Sequence, residues 1–146
     1  MRYWVISGCA LMMAGMAGAL TPAQAADAVK SQPTELLTVP LTGDASREVK
    51  VINVVLPPGA DSGPHFHHGD QYTTVQEGEI HIDIDGKGDH SYKAGEAAHI
   101  EPMVVHRTRN LSGKPARTTE LFIVAKGKPL VDHPAVAATG SSAPAK

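Results

Sequence analysis

The sequence contains one cysteine in 146 residues, Cys9, and this residue lies in an N-terminal segment that we expect to be removed. A mature chain starting at Ala26 would have no thiol and no disulfide, which excludes thiolate metal ligands and a cysteine nucleophile. Lys and Arg total 13 against 15 Asp and Glu, with no basic stripe, so nucleic acid is not an expected partner. The chain also lacks a GxSxG motif, a P-loop and a dinucleotide-binding fingerprint.

The N-terminal segment has the pattern of a cleaved export signal. Arg2 gives a positive start, an apolar run extends to about Leu20, and Ala23-Gln24-Ala25 is an A-x-A cleavage pattern. We therefore predict that residues 1–25 are a signal peptide cleaved at its end. The protein would be periplasmic or secreted, without stable membrane association after cleavage. Two alternatives remain: a retained anchor, since about 18 apolar residues is near the lower limit for spanning a bilayer, and lipidation at Cys9.

The remaining chain divides by composition into one small domain and two flanking segments. Residues 26–36 are expected to be a linker, and residues 37–130 form a single domain. Residues 131–146 are rich in Ala, Ser, Gly and Pro and lack apolar periodicity. This composition predicts a disordered tail.

The domain has the alternating pattern of short β-strands. Ile80, Ile82 and Ile84 alternate with polar residues and would share one face of a strand, and Asp85-Gly86 would begin a turn. Breaks rich in Gly or Pro separate the other strand candidates, which are residues 35–41, 47–56, 72–76, 97–100, 104–110 and 118–125. No segment shows a helical apolar stripe longer than two turns. The pattern is typical of an all-β antiparallel sandwich or small barrel.

Three histidines and a glutamine are the most informative feature of the chain. His65 and His67 are two residues apart, so on an extended strand their side chains leave the same face. Gln71 can return to that face after a short kink, and His106 can arrive from another strand. Because imidazole nitrogen is a common ligand of zinc, copper, iron and nickel, a metal is the plainest reason to gather these groups.

The spacing of these residues resembles the first sequence motif of the cupin superfamily, G-x5-H-x-H-x3,4-E-x6-G. Gly59, His65, His67 and Gly78 match this motif. Gln71 stands where the family usually has Glu. The chain is thus similar to the small single-domain cupins, with one departure among the residues that would contact a metal.

The second cupin motif, G-x5-P-x-G-x2-H-x3-N, is matched in part. Gly95, His106 and Asn110 stand at the right offsets. Glu101 replaces the usual Pro, and Met103 replaces the usual Gly. The combined register of glycines and histidines is specific in spite of these departures.

The resemblance implies an antiparallel jelly-roll β-barrel over residues 37–130 that holds one metal ion through His65, His67, Gln71 and His106. For Gln71 two roles stay open, because its amide could bind the metal directly or hydrogen-bond a water on the metal. Cupins commonly pair through exposed edge strands, so we expect a homodimer, with residues 37–41 as the candidate exchanged strand.

The substitution of Glu by Gln has an electrostatic consequence. Three neutral histidines and a neutral amide would leave a divalent ion near its full charge of about +2, which attracts anions in a low-dielectric barrel. We therefore predict a small anionic organic ligand, such as a carboxylate or enolate, or hydroxide completing the coordination. The neutral ligands disfavour Mg and Ca and leave Fe, Ni, Cu, Mn, Co or Zn.

Other polar side chains are assigned by strand parity. Thr73 shares the parity of Gln71 and is predicted to line the pocket, and His99 is a second candidate for that role. His81 lies opposite the isoleucine face of its strand, and solvent is its expected environment. Arg107 and Arg109 flank the face opposite His106, so we expect them at the surface.

Three functional hypotheses follow. The first is a metal-dependent dioxygenase, because an open His-rich Fe, Ni or Cu site can bind an anionic substrate and O2 together. The second is a lyase or isomerase in which the metal acts as a Lewis acid. It requires a positioned base, for which the sequence offers Tyr72, His99 and Glu101. The third is a non-catalytic protein that binds a small ligand or a metal. Oxygen consumption would distinguish the first hypothesis from the others.

Overall fold

The computed structural model describes residues 29–135, and within this range the chain forms eight strands in two antiparallel sheets. The strands are β1 (Gln32–Leu41), β2 (Asp44–Leu56), β3 (Gly69–Glu77), β4 (Glu79–Ile84), β5 (Gly88–Lys93), β6 (Ala97–Ile100), β7 (His106–Arg109) and β8 (Ala116–Ala125). One sheet has the order β1-β2-β8-β3-β6 and the other β5-β4-β7. The expected signal peptide, Cys9 and residues 136–146 of the expected tail lie outside the described residues.

The core lies between the two sheets and is formed by the alternating residues of their inner faces. Ile80, Ile82 and Ile84 of β4 are all buried, as their period-2 spacing predicts. Phe122 and Val124 of β8 are buried in the same hydrophobic cluster. The all-β antiparallel fold expected from the sequence is therefore confirmed, and one end of this core is occupied by polar side chains.

Three segments differ from the sequence predictions in their extent. Strand β5 was not predicted, because its residues are polar and mostly exposed and it forms through backbone pairing with β4. Strand β1 begins at Gln32, inside the segment expected to be a linker, because Gln32 pairs with Val55 of β2. Backbone pairing also continues past residue 130, since Phe66 and Asp132 exchange hydrogen bonds of 2.9 and 3.0 Å.

Two residues of the motif region fix the loops around the polar end. A Cβ atom at Gly69 would lie 2.1 Å from the carbonyl oxygen of Ile123, so only glycine allows β3 to pack this closely on β8. The buried Asn110 amide donates to the carbonyl oxygens of Leu56 (2.8 Å) and Lys114 (2.7 Å) and thereby joins the end of β2 to the loop before β8.

Among residues 29–135, no helix has the length and apolar character needed to cross a membrane.

Candidate metal centre

The three motif histidines converge at the polar end of the core. His65 and His67 lie in the segment between β2 and β3, and His106 is the first residue of β7. The backbones of His65 and His106 exchange hydrogen bonds of 2.9 and 2.8 Å, which places one histidine beside the other. All three side chains are buried, and one potential ligand atom from each lies within 4.8 Å of the others. The structure thus brings together the trio that the sequence singled out.

The second ring nitrogen of each histidine is held by a backbone carbonyl. The Nδ1 atom of His65 lies 2.9 Å from the Gly63 oxygen, that of His67 lies 2.5 Å from the Leu130 oxygen, and that of His106 lies 3.1 Å from the Val104 oxygen. Because a carbonyl can only accept, each Nδ1 carries the proton and donates it, and each Nε2 keeps a free lone pair. This is the usual support of metal-bound histidine.

Two of the three free nitrogens are buried and lack a hydrogen-bond partner in the described part of the chain. The Nε2 atoms of His67 and His106 have no hydrogen-bond partner there. Burial lowers the pKa of His67 to about 4 and that of His106 to about 3, and it also lowers the pKa of His65. The three rings are therefore neutral at pH 7, as metal coordination requires.

The side-chain carbonyl oxygen of Gln71 also has no hydrogen-bond partner among residues 29–135. This residue is buried on β3, where its Nε2 donates to Thr73 Oγ1 at 3.0 Å and to Glu120 Oε2 at 3.3 Å. Its Oε1 is buried without a hydrogen-bond partner among residues 29–135. An amide oxygen that has no donor within the protein fits a cation, so the four predicted residues suit a metal ion. Thr73, the predicted pocket residue, is buried against the Gln71 amide.

A cavity of about 680 Å³ opens onto this centre. His65, His67 and Gln71 contribute to its wall, and much of the remaining wall is apolar, formed by Ile52, Val54, Leu56, Phe122 and Leu130. Lys30, Asp61, Arg107, Glu120 and His133 add charged or titratable groups. The cavity is large enough for a small organic molecule next to the histidines.

Glu120 is a cavity residue next to Gln71 that the sequence did not single out. It lies on β8 opposite Thr73 of β3, and its carboxylate accepts hydrogen bonds from Gln71 and from Thr118 Oγ1 at 3.1 Å. Burial raises its pKa to about 7, although the Thr118 hydrogen bond opposes the shift. Strand parity could have identified Glu120, because it is two residues from each of the inward-facing Thr118 and Phe122 and therefore lies on the same face of β8.

His99 lies outside the cavity, contrary to its assignment as a pocket residue. On β6 the inward positions belong to Ala98 and Ile100, so His99 points outward. Its ring stacks on Tyr72 with a centroid distance of 4.7 Å, and its Nε2 lies 3.0 Å from Asp70 Oδ1. The parity of this short strand could not be chosen from its four residues alone.

Arg107 is also placed differently from the prediction. It was expected at the surface, but its half-exposed side chain contributes to the cavity wall, where it is bound to Asp61. Arg109 lies on the outer side and pairs with Asp89 at 2.9 Å. His81 is half-buried and contacts the same Asp89, in agreement with its outward assignment.

A family model for the cupin domain, Cupin_2, matches residues 52–125 of the chain. The chain belongs to the cupin family. Within this family, three histidines grouped in the barrel indicate a metal-ion site. No curated protein matches the sequence significantly.

Solved structures give the same fold. A cupin domain from Bordetella pertussis Tohama I shares 24% identity, with a TM-score of 0.51 over 66% of this chain and 95% of that chain. An RmlC-like cupin family protein from Methanocaldococcus jannaschii shares 17% identity, with a TM-score of 0.56 over 76% and 94%. KdgF from Halomonas sp. shares 19% identity, with a TM-score of 0.56 over 66% and 81%. These similarities establish the double-stranded β-helix fold of this cupin.

Proposed function

We propose that this cupin is an exported protein that binds one divalent transition metal and acts as a metal-dependent dioxygenase on a small anionic organic substrate. The observation that carries the proposal is the set of unpaired, buried acceptors, His67 Nε2, His106 Nε2 and Gln71 Oε1, beside a cavity of about 680 Å³. His65 completes the histidine trio. These four residues would hold the metal.

The ligand set favours a transition metal and an anionic substrate. Imidazole and amide ligands suit Fe, Ni, Cu, Mn, Co or Zn better than Mg or Ca. Because the ligands are neutral, a divalent ion would keep its positive charge, and Lys30 adds a second cation to the cavity wall. Glu120 opposes these charges, so the anion would bind away from its carboxylate.

The residues of the cavity wall are also compatible with dioxygenase chemistry. A bound Fe, Ni or Cu ion would supply the redox chemistry by which both atoms of O2 enter the substrate. Ile52, Leu56 and Phe122 give the cavity an apolar wall that suits the carbon skeleton of an organic substrate. Lys30 would orient a substrate carboxylate toward the cavity opening.

Glu120 favours a second candidate, a lyase or isomerase in which the metal acts as a Lewis acid. Such a reaction requires a base next to the substrate, and Glu120 places a carboxylate on the cavity wall. The bases suggested by the sequence do not serve this purpose, since Tyr72, His99 and Glu101 are exposed and none of them contributes to the cavity wall. Turnover without oxygen consumption would select this candidate.

Metal content is the first test of the proposal. Plasma mass spectrometry of the purified protein should find about one transition-metal ion per chain, and the H67A variant should lose it. Iron, copper or nickel would lead to oxygen-electrode screens of small carboxylic and enolic acids, with H67A as the inactive control. A protein that contains no metal and takes up none when it is added would contradict the proposal.

A further inference from the structure

The carboxylate of Glu120 and the amide of Gln71 lie side by side on neighbouring strands. Gln71 Nε2 is 3.3 Å from Glu120 Oε2 and 3.0 Å from Thr73 Oγ1, so the amide group has two acceptors for its two hydrogens. Thr118 Oγ1 donates to the other carboxylate oxygen at 3.1 Å. The four side chains form a continuous chain of three hydrogen bonds next to the histidines.

This set determines which end of the Gln71 amide is free. If the amide were turned end for end, its carbonyl oxygen would face the carboxylate of Glu120, and two acceptors would repel each other. The observed orientation leaves Oε1 buried and unpaired, like Nε2 of the neighbouring His67. A cation would satisfy both atoms at once.

The position of Glu120 gives the substitution at position 71 a physical explanation. A cupin with Glu at that position would carry the carboxylate on β3, whereas this chain carries it on β8, in the neighbouring pair Thr73–Glu120. No Lys, Arg or His among residues 29–135 forms an ion pair with Glu120, although Asp61, the other acidic residue of the cavity wall, is bound by Arg107. The Glu120 carboxylate therefore has no cationic partner among these residues and contacts the Gln71 amide.

We propose that Glu120 is a positioning residue of the metal centre, which holds the Gln71 amide so that Oε1 is presented as the fourth ligand. This inference rests on the proposed metal site, and it predicts that the effect of a change at position 120 depends on which residue stands at position 71.

The test is a set of variants in which residues 71 and 120 are changed singly and together. E120Q, Q71E and Q71E/E120Q are compared with the wild type, with H106A as the variant lacking a ligand. E77Q is the matched control, because Glu77 is an exposed residue of β3 paired with Arg117. The affinity for Co(II) is measured by competition with a chromophoric chelator, and the visible spectrum of bound Co(II) reports its ligands.

We expect E120Q to weaken Co(II) binding about 10–100-fold and to change the cobalt spectrum, because an amide at position 120 accepts a weaker hydrogen bond than the carboxylate does and can also turn its NH2 group toward Gln71, so that the Gln71 amide is no longer held in one orientation. In the Q71E background, where the carboxylate itself is the ligand, E120Q should weaken Co(II) binding by less than about twofold. E77Q should match the wild type. A simple attraction between Glu120 and the cation would instead give the same loss in both backgrounds, which would overturn the proposal.

Two further results would also overturn it. E120Q could bind Co(II) as tightly as E77Q, which would show that Glu120 does not position Gln71, or as poorly as H106A, which would make Glu120 a direct ligand. T118V is a second variant of nearly unchanged shape that releases one carboxylate oxygen, and it should give a smaller loss in the same direction. A wild-type protein that binds no Co(II) would refute the metal site itself.

Discussion

The stability of the metal-free protein should fall as the pH is lowered from 6.5 to 5, by about 1 kcal/mol for each pH unit. His67 and His106 have pKa values of about 4 and 3 in the folded chain, against 6.5 for an unperturbed histidine. Below pH 6.5 the unfolded chain therefore binds two protons that the folded chain does not. Each such proton lowers the free energy of unfolding by about 1.4 kcal/mol per pH unit.

Protonation of Glu120 has the opposite effect on the free energy of unfolding over the same pH range. Its pKa is about 7 in the folded chain, against 4.5 for an unperturbed carboxyl. Between these values the folded chain holds one proton more than the unfolded chain, so this group stabilises the fold as the pH falls. Two protons favouring unfolding and one opposing it leave a net difference of about one proton, and His65, whose pKa is also lowered by burial, adds to the loss of stability. Asp61 and Asp70, whose pKa values are lowered by hydrogen bonds, lose their contributions only below this window.

The assay is urea unfolding of chelator-treated protein at several pH values between 6.5 and 5. E120Q removes the opposing group, so its stability should fall by about 2–3 kcal/mol per pH unit, since two histidine protons then act alone. H106Q should instead make the wild-type slope shallower by about 1 kcal/mol per pH unit, because one histidine proton no longer contributes. A wild-type stability that rises toward pH 5, or an E120Q slope no steeper than that of the wild type, would contradict these assignments.

Four further predictions concern backbone, packing, assembly and export. M103G should raise the free energy of unfolding by about 0.5–1 kcal/mol in urea titrations, because Met103 has a φ of 65° that costs a side-chain-bearing residue about 1–2 kcal/mol. G69A should lower it by about 3 kcal/mol or more, since its Cβ would overlap the Ile123 carbonyl; unchanged stability would contradict the packing. Light scattering after gel filtration should show a homodimer, and L37K on the exposed edge strand should shift it toward monomer. N-terminal sequencing of exported protein should begin at Ala26.

Much of the fold followed from side-chain alternation. Ile80, Ile82 and Ile84 marked β4 because one face of that strand is buried, and a period of two is the direct consequence of burying one face. Strand β5 gave no such signal, since Tyr92 is its only residue packed on the core and its position depends on hydrogen bonds to β4. Local sequence cannot report pairing that is made with another segment.

The motif departure at Met103 shows how sequence and structure combine. The cupin motif has Gly at this position, and the structure gives Met103 a positive φ, which glycine adopts without strain. The sequence therefore identified an unusual residue, and the backbone explains why the motif favours glycine there. The amide of Met103 donates to the His67 carbonyl at 2.9 Å, which ties this turn to the metal centre.

Residue types at short, fixed spacings were enough to predict the cupin fold and the histidine trio. The outward position of His99 and the contact between Glu120 and the Gln71 amide became known only from the folded chain. These contacts join β3, β6 and β8, which are distant along the chain, and a change of strand parity by one residue would reverse each of them. The chemistry of the cavity is set by that register.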